Sequence, residues 1–304
     1  MRITDDRNRL LSFPAPPRRV VSLVPSDTLN VAALGRGSAL VGRTDYCELP
    51  ADIAASVPSV GGTKNPRVAD ILSLSPDLVI ANQEENTRGD LEQLALAGVR
   101  VYVGFPKRVA DGIAHLAKLA RIFRVESEPG VRALFRAAYA EARARQEANA
   151  EAPVRSVFCP IWMAPLMTIN EATFISDALN EIGLRNVFGK RERRYPLAAD
   201  LGKLPAMGFD VVGERDTRYP RVTIEEVVAA QPDVVLLPSE PHPFTEADAD
   251  VFRALPIPAA SSGQVRFVDG KDLCWYGARS IGGIDRLARA LAIASPSTPR
   301  ATAP

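Results

Sequence analysis

Two segments of this chain share one pattern. LSLSPDLVIANQEEN ends at Asn86, and VAAQPDVVLLPSEPH ends at His242. Each has helix-forming residues, then Pro-Asp, then four apolar residues, then a polar stretch containing Glu. The proline ends a helix, and the short apolar run fits a strand buried on both faces. A step of this kind belongs to a β-α domain with a mostly parallel sheet, and its presence twice implies two such domains. The 304 residues are enough for each to bury its own core.

The intervening sequence fits that reading. Val20 to Val24 is an apolar run, Ser26 or Asp27 can cap a helix running to about Leu34, and Gly35 stops it. Ala39 to Gly42 is a second strand. Asn65-Pro66 is expected to open a helix, Leu78 to Ala81 is a strand, and Leu91 to Ala97, Val99 to Val103 and Val109 to Phe123 continue the alternation. From Pro129, residues Val131, Leu134, Phe135, Ala138 and Tyr139 fall on one helix face. The second half of that helix is polar nearly all round, as expected of a helix that bridges two domains. After Pro153 the alternation restarts: strand RSVFCPIW, helix TFISDALNEIGL, a capping box at Thr223 and Glu226, strand Val234 to Leu237, helix Glu246 to Leu255 behind Thr245, strand Val265 to Val268, and a closing helix Gly277 to Ala292. The expected fold is α/β: two Rossmann-like β-α domains with central parallel sheets, residues 1–126 and 153–304. One long helix, 127–152, joins them, with a ligand cleft between them and the closing helix near the join.

Several functions are excluded or disfavoured. A formal charge of +1 gives no electrostatic steering toward nucleic acid. No run of 18 apolar residues offers a membrane span. The amino-terminal MRITDDRNRLL lacks the apolar core of a secretory signal, so the chain as written reads as cytoplasmic, and as periplasmic only with a leader supplied upstream. Three cysteines do not form a disulfide framework. The run GKRERRYP reads as a solvated loop interrupted by Glu192, with a phosphate-binding patch as the alternative. RRYP recurs as TRYP near Arg218 without an evident reason. No nucleophile-base-acid set is visible, and no glycine run has phosphate-loop spacing.

RRVVSLVPSDTLNVAALGRGSALVGRTDYCELP, VGGTKNPRVADILSLSPDLVIANQ, LNEIGLRNVF, YPRVTIEEVVAAQPDVVLL and GARSIGGIDRLARAL together resemble the helical-backbone (class III) substrate-binding proteins of bacterial ABC importers. Those proteins take up cobalamin, haem and ferric siderophores, and the resemblance is greatest to the cobalamin binders. It covers most of residues 18 to 293, but the segment Gly189 to Arg218 has no clear counterpart. The resemblance implies cleft aromatics at Tyr46, Tyr219 and, at or beside Ile161, Trp162, an arginine at Arg279, and a transporter-docking carboxylate at Glu225. The first-domain docking partner falls on Ala69 beside Asp70, and Thr63 and Asn82 stand where cobalamin binders have tryptophans.

Residue chemistry adds candidates. Trp275 and Tyr276, in the loop VDGKDLCWYGARS, offer flat faces to a macrocycle, and Arg279 offers a guanidinium fork. Cys47, Cys159 and Cys274 each follow a strand and could bind a soft metal if they converged. Glu84, Glu85 and Glu240 read as solvated loop charges. His115 reads as structural, and His242 between two prolines as an exposed loop residue. The expected function is non-catalytic binding of a metal-tetrapyrrole, most of all a corrinoid such as cobalamin, by a monomer that serves an ABC permease or is a cytosolic relative of such proteins. No cofactor is required. The alternatives are a chelatase-like enzyme or metallochaperone built on the three cysteines, and a haem or ferric-siderophore binder with Tyr46 or His242 on the iron.

Overall fold

The computed structural model describes residues 1–150, 153–213 and 215–292. The chain divides into two compact units. Residues 1–141 with 275–281 form the first, and the described residues of 142–274 with 282–292 form the second. In the first unit, a short antiparallel hairpin of β1 (Arg2–Thr4) and β2 (Leu10–Ser12) precedes the main sheet. That sheet contains β3 (Val20–Ser22), β4 (Leu40–Arg43), β5 (Leu78–Asn82) and β6 (Val101–Gly104), in the order β4-β3-β5-β6 and all parallel. In the second unit, β7 (Arg155–Phe158), β10 (Leu184–Asn186), β11 (Val234–Pro238) and β12 (Val265–Val268) form a parallel sheet ordered β10-β7-β11-β12. A small antiparallel pair, β8 (Pro160–Trp162) and β9 (Met167–Thr168), stands beyond the end of β7.

Both sheets are closed by apolar side chains on their two faces. Every residue of β5 and β11 is buried, as the uninterrupted apolar runs predicted. In the first unit Val20, Leu78, Ile80, Leu116, Leu119 and Phe123 share one core. In the second, Phe158, Val227, Val235, Leu237 and Phe252 share another, where the Phe158 ring meets Phe188 and Phe252 edge-on at centroid distances of 5.5 and 5.8 Å.

The duplicated Pro-Asp step performs the same task in both units. Ser75 and Gln231, which precede the prolines, both adopt left-handed backbone at φ 46°. The following aspartate then fastens the entering strand to its neighbour. Asp77 accepts from the backbone N–H groups of Arg18 and Arg19 at 2.8 and 3.1 Å, and its own N–H donates to the Arg19 carbonyl at 2.9 Å. Asp233 accepts from the backbone N–H and the hydroxyl of Ser156 at 2.8 and 2.7 Å, and its N–H donates to the Ser156 carbonyl at 3.1 Å. Each carboxylate sets the register between the first and third strands of its sheet.

The long helix Pro129–Asn149 carries the chain from the first unit into the second. Its early residues Val131, Leu134 and Phe135 join the core of the first unit. Farther along, Arg145 pairs with Glu181 and Asp285 at 3.2 and 3.0 Å, and Asn149 donates to the Glu181 carbonyl at 2.8 Å. The polar half is therefore not simply solvated: its arginine side chain is 10% exposed and held by two carboxylates.

Local signals placed most elements well. The helix Val109–Phe123 and the strand Val265–Val268 have the expected bounds, and the capping boxes at Thr223 and Thr245 both form. Other starts and stops differ, the helix expected at Leu91 beginning already at Arg88 and the strand expected at Val99 only at Val101. The first helix is Pro25–Ala33, with Val24 as its cap and Pro25 at its first position, so Ser26 and Asp27 lie inside it. The helix after Asn65-Pro66 begins only at Val68, behind Arg67. RSVFCPIW is two strands, because Pro160 leaves the parallel sheet and pairs with Thr168 instead. The closing helix opens as a tighter turn, Gly277–Arg279, before Ser280–Ala292. No helix among the described residues is long and apolar enough to cross a membrane.

The Ser156 hydrogen bonds hold the Asp233 carboxyl below its ordinary range. Its contribution to stability is therefore complete above about pH 4 and fades as pH falls through its lowered folded value. Asp233→Asn should lower stability at neutral pH by about 1 kcal/mol, allowing for solvent screening. The gap between variant and wild type should narrow toward pH 2, as read from urea midpoints at the two pH values.

Candidate functional site

In each sheet the first strand lies between the second and the third, so the crossovers leave it in opposite directions. The carboxyl ends of β3 and β5, and of β7 and β11, flank the resulting switch points, where open α/β sheets bind ligands. The residues at these two places differ sharply in character.

In the first unit the switch point is filled by the protein's own side chains. Asp27 and Asn30 come from the helix after β3, Asn82 ends β5, His115 comes from the helix Val109–Phe123, and Tyr276 comes from the returning segment 275–281. All five are buried. One Asp27 carboxylate oxygen accepts from Asn30 Nδ2 at 3.0 Å and lies 2.7 Å from His115 Nε2. The other accepts from the Tyr276 hydroxyl at 2.9 Å. Asn82 Nδ2 donates to the same hydroxyl at 3.2 Å, and Asn30 Oδ1 accepts from the Ala278 N–H at 2.8 Å. A carboxylate this deep persists only with donors of this kind around it. Burial, then the Asp27 charge, holds the Tyr276 hydroxyl protonated well above its ordinary range. Two glycines make room: a Cβ on Gly104 would lie 2.4 Å from His115 Cε1, and one on Gly277 would lie 2.4 Å from Asn30 Oδ1.

Tyr276, expected to face a ligand, is thus a structural residue. Its hydroxyl is engaged by Asp27 and Asn82, and its ring meets His115 edge-on at 5.3 Å. Trp275 is buried as well. Asn82 and Thr63 are buried, and Asn82 also accepts from the N–H groups of Glu84 and Glu85 at 2.8 and 3.3 Å, so it shapes the loop after β5. Glu84 and Glu85 are half-buried there. Tyr46 follows β4 and is 61% exposed, and Tyr139, placed by the sequence on the apolar helix face, is exposed as well.

In the second unit Trp162, at the end of β8, is 43% exposed and its ring lies 5.2 Å from that of His242. His242 follows β11, meets Phe244 edge-on at 4.7 Å, and has Asp248 3.8 Å from its Nε2. The sequence treated this histidine as an isolated loop residue. The fold makes it part of an aromatic surface at the carboxyl edge of the sheet. Tyr219 is half-buried under the Arg218 guanidinium, 5.3 Å from its ring centre, and Arg279 is half-buried in the turn Gly277–Arg279. Glu225 is exposed in the first turn of the helix Ile224–Ala230, as are Ala69 and Asp70 in theirs.

The metal site expected of Cys47, Cys159 and Cys274 is not built. All three are free thiols, but among the described residues no group of three or more His, Cys, Asp or Glu side chains is placed to hold a metal ion. Each thiol has a local environment that explains it. Cys47 is buried against the hydroxyls of Thr28 and Thr44 at 3.0 and 3.1 Å, and burial pushes its pKa up. Burial likewise pushes Cys159 up to about 12. Cys274 donates toward Gly270 O at 2.8 Å and Glu240 Oε1 at 3.2 Å. Thiols that resist deprotonation are poor ligands.

Comparison with known proteins agrees with this layout of two parallel-sheet units. Residues 20–212 match the model of the periplasmic binding protein family. The chain belongs to that family. It is a non-catalytic binding protein of ABC-importer type. Among its relatives, a vitamin B12-binding protein of Vibrio cholerae is 26% identical over 228 residues, covering 74% of this chain and 72% of the relative. Another, from Pectobacterium atrosepticum, is 28% identical over 228 residues, covering 73% and 72%. Among solved structures, the periplasmic vitamin B12 binding protein of Vibrio cholerae superposes with a TM-score of 0.72 at 21% identity, over 92% of this chain and 99% of that one. A periplasmic haem binding protein from Pseudomonas aeruginosa gives 0.71 at 24% identity, over 90% and 92%. At these identities the two superpositions establish the fold.

Tyr276→Phe removes one donor from the buried Asp27 carboxylate and the acceptor of Asn82. It should destabilise the protein by about 2–3 kcal/mol, measured by urea unfolding. Tyr46→Phe, at an exposed position, should lie within about 0.5 kcal/mol of wild type.

Proposed function

We propose that this protein binds a metal-tetrapyrrole, with a corrinoid such as cobalamin as the favoured ligand, and delivers it to an ABC-type importer. The observation that carries the reading is a pair of exposed aromatic faces. Tyr46 and Trp162 each stand at the carboxyl end of a parallel sheet, in a chain whose relatives include vitamin B12-binding proteins. Flat rings with a polar tip suit a flat macrocycle with polar substituents. Tyr219 in the second unit and Arg279 in the first are further proposed ligand contacts. Glu225, exposed on its helix, would meet the transporter. Trp275 and Tyr276 have no part in this reading, since both are buried.

One observation favours haem as a second reading. His242 is only 24% exposed and sits in an aromatic surface with Trp162 and Phe244, where an imidazole could reach an iron. Tyr46 is the other candidate axial ligand.

A visible absorbance titration of the reduced protein with aquocobalamin, cobinamide and haemin separates these readings. We expect a saturable spectral shift with a corrinoid, weakened roughly threefold to tenfold by Trp162→Ala or Tyr46→Ala. A shift with haemin alone, lost in His242→Ala or Tyr46→Phe, would assign haem. No shift with any of the three would refute a tetrapyrrole ligand.

A further inference from the structure

The insert after β10 answers the RRYP and TRYP repeat. The Arg193 N–H donates to the Thr217 carbonyl at 2.8 Å, pairing the two copies side by side. Between them lies Asp200, whose side chain is fully buried. One of its oxygens accepts from the Arg194 N–H at 2.9 Å and the other from the Arg221 N–H at 2.7 Å, so the carboxylate ties the two copies through backbone. The Pro220 carbonyl accepts from the Thr168 N–H at 3.0 Å, which anchors the second copy to β9, beyond the carboxyl end of the sheet.

With its oxygens taken by backbone, Asp200 makes no short side-chain bond to the arginines around it. Arg221 Nη1 stays 4.0 Å from Asp200, and Arg191 Nη2 stays 3.7 Å from both Asp200 and Glu226 while donating to the Asp200 carbonyl at 2.7 Å. Glu226 is already committed through its other oxygen to the Thr223 N–H at 2.8 Å. Arg193 stacks over the Tyr195 ring at 4.9 Å, and Arg215 stacks over the same ring at 5.3 Å. Among the described residues, the buried Nε atoms of Arg191, Arg193 and Arg221, and Nη1 of Arg221, have no hydrogen-bond acceptor. The Arg221 side chain is only 12% exposed. Buried N–H donors on a cation without acceptors are costly, and the cost falls if an anion supplies them. Burial first, then the neighbouring Arg193 charge, weakens the hold of Arg221 on its proton, which is the signature of crowded cations.

We propose that Arg193 and Arg221, backed by Arg191, form an oxyanion-binding site that takes a phosphate or a carboxylate group. The planar guanidinium fork matches the geometry of both groups. Their source is either a free anion or the acidic arm of a larger ligand bound at the same sheet edge. The site stands on its own observations, independent of the tetrapyrrole reading, and the run GKRERRYP is then a binding element, not a solvated loop.

Isothermal titration calorimetry and thermal unfolding of the full chain test it, with sodium phosphate and sodium succinate compared against sodium chloride at equal ionic strength. We expect saturable binding of at least one oxyanion with a matching rise in Tm. Binding should weaken about tenfold or more in Arg221→Gln and in Arg193→Gln, and stay at wild-type strength in Arg253→Gln, a surface arginine already paired with Glu246 and Asp250. Phosphate alone would identify a phosphate ligand, and succinate would identify a carboxylate. If Arg221→Gln fails to fold, Arg193→Gln carries the test, since its backbone bond to Thr217 is unaffected. Oxyanions that act no differently from chloride, or binding unchanged in the foldable arginine variants, would overturn the proposal. Neither result depends on whether aquocobalamin or haemin binds.

Discussion

A buried carboxylate is tolerable only when donors converge on it, and Asp27 imposes that requirement on the first unit. Three side chains from three parts of the chain reach it: Asn30 on its own helix, His115 nearly ninety residues on, and Tyr276 close to the end of the described chain. Gly104 and Gly277 give up their side chains so that this can happen. The apolar core fixes which faces of the elements meet. The carboxylate fixes which segment closes the switch point.

The same device recurs at smaller scale. Asp77 and Asp233 fasten the third strand of each sheet to the first, and Asp200 joins the two arms of the insert. In all three cases the carboxylate accepts from a backbone N–H group more than twenty residues away in sequence. In the insert the consequence is functional. Asp200 meets Arg191 and Arg221 only at 3.7 and 4.0 Å, so several of the surrounding guanidinium N–H groups have no acceptor among the described residues.

The sequence conveyed what depends on near neighbours. Apolar periodicity located the strands, the Thr223-x-x-Glu226 box and the cap Thr245 located two helix starts, and the duplicated Pro-Asp step revealed two domains. The family match over residues 20–212 agrees with the resemblance carried by those stretches. What depends on distant neighbours was hidden. Asp27 looked like a helix cap because aspartate often is one, and only its meeting with His115 and Tyr276 shows otherwise. Tyr276 looked like a ligand residue because it lies in a glycine-containing loop. The three cysteines suggested a metal because each was expected near the carboxyl end of a strand, yet among the described residues no metal-holding group forms around them. A signal for the Asp27 cluster did exist: His115 lies on the buried and otherwise apolar face of the helix Val109–Phe123. In the insert the repeated Arg-Tyr-Pro marked a real pairing, but nothing local indicated that Asp200 would mediate it.

The return of residues 275–281 to the first unit has a consequence for biosynthesis. This unit is not a continuous stretch of chain, since 133 residues of the second unit, 142–274, intervene before it is complete. At translation rates of about 5–20 residues per second, Tyr276 emerges on the order of ten seconds after the helix that carries His115. For that interval Asp27 has its first two partners but not its third, and the switch point of the nascent first unit stays unsealed until Tyr276 arrives.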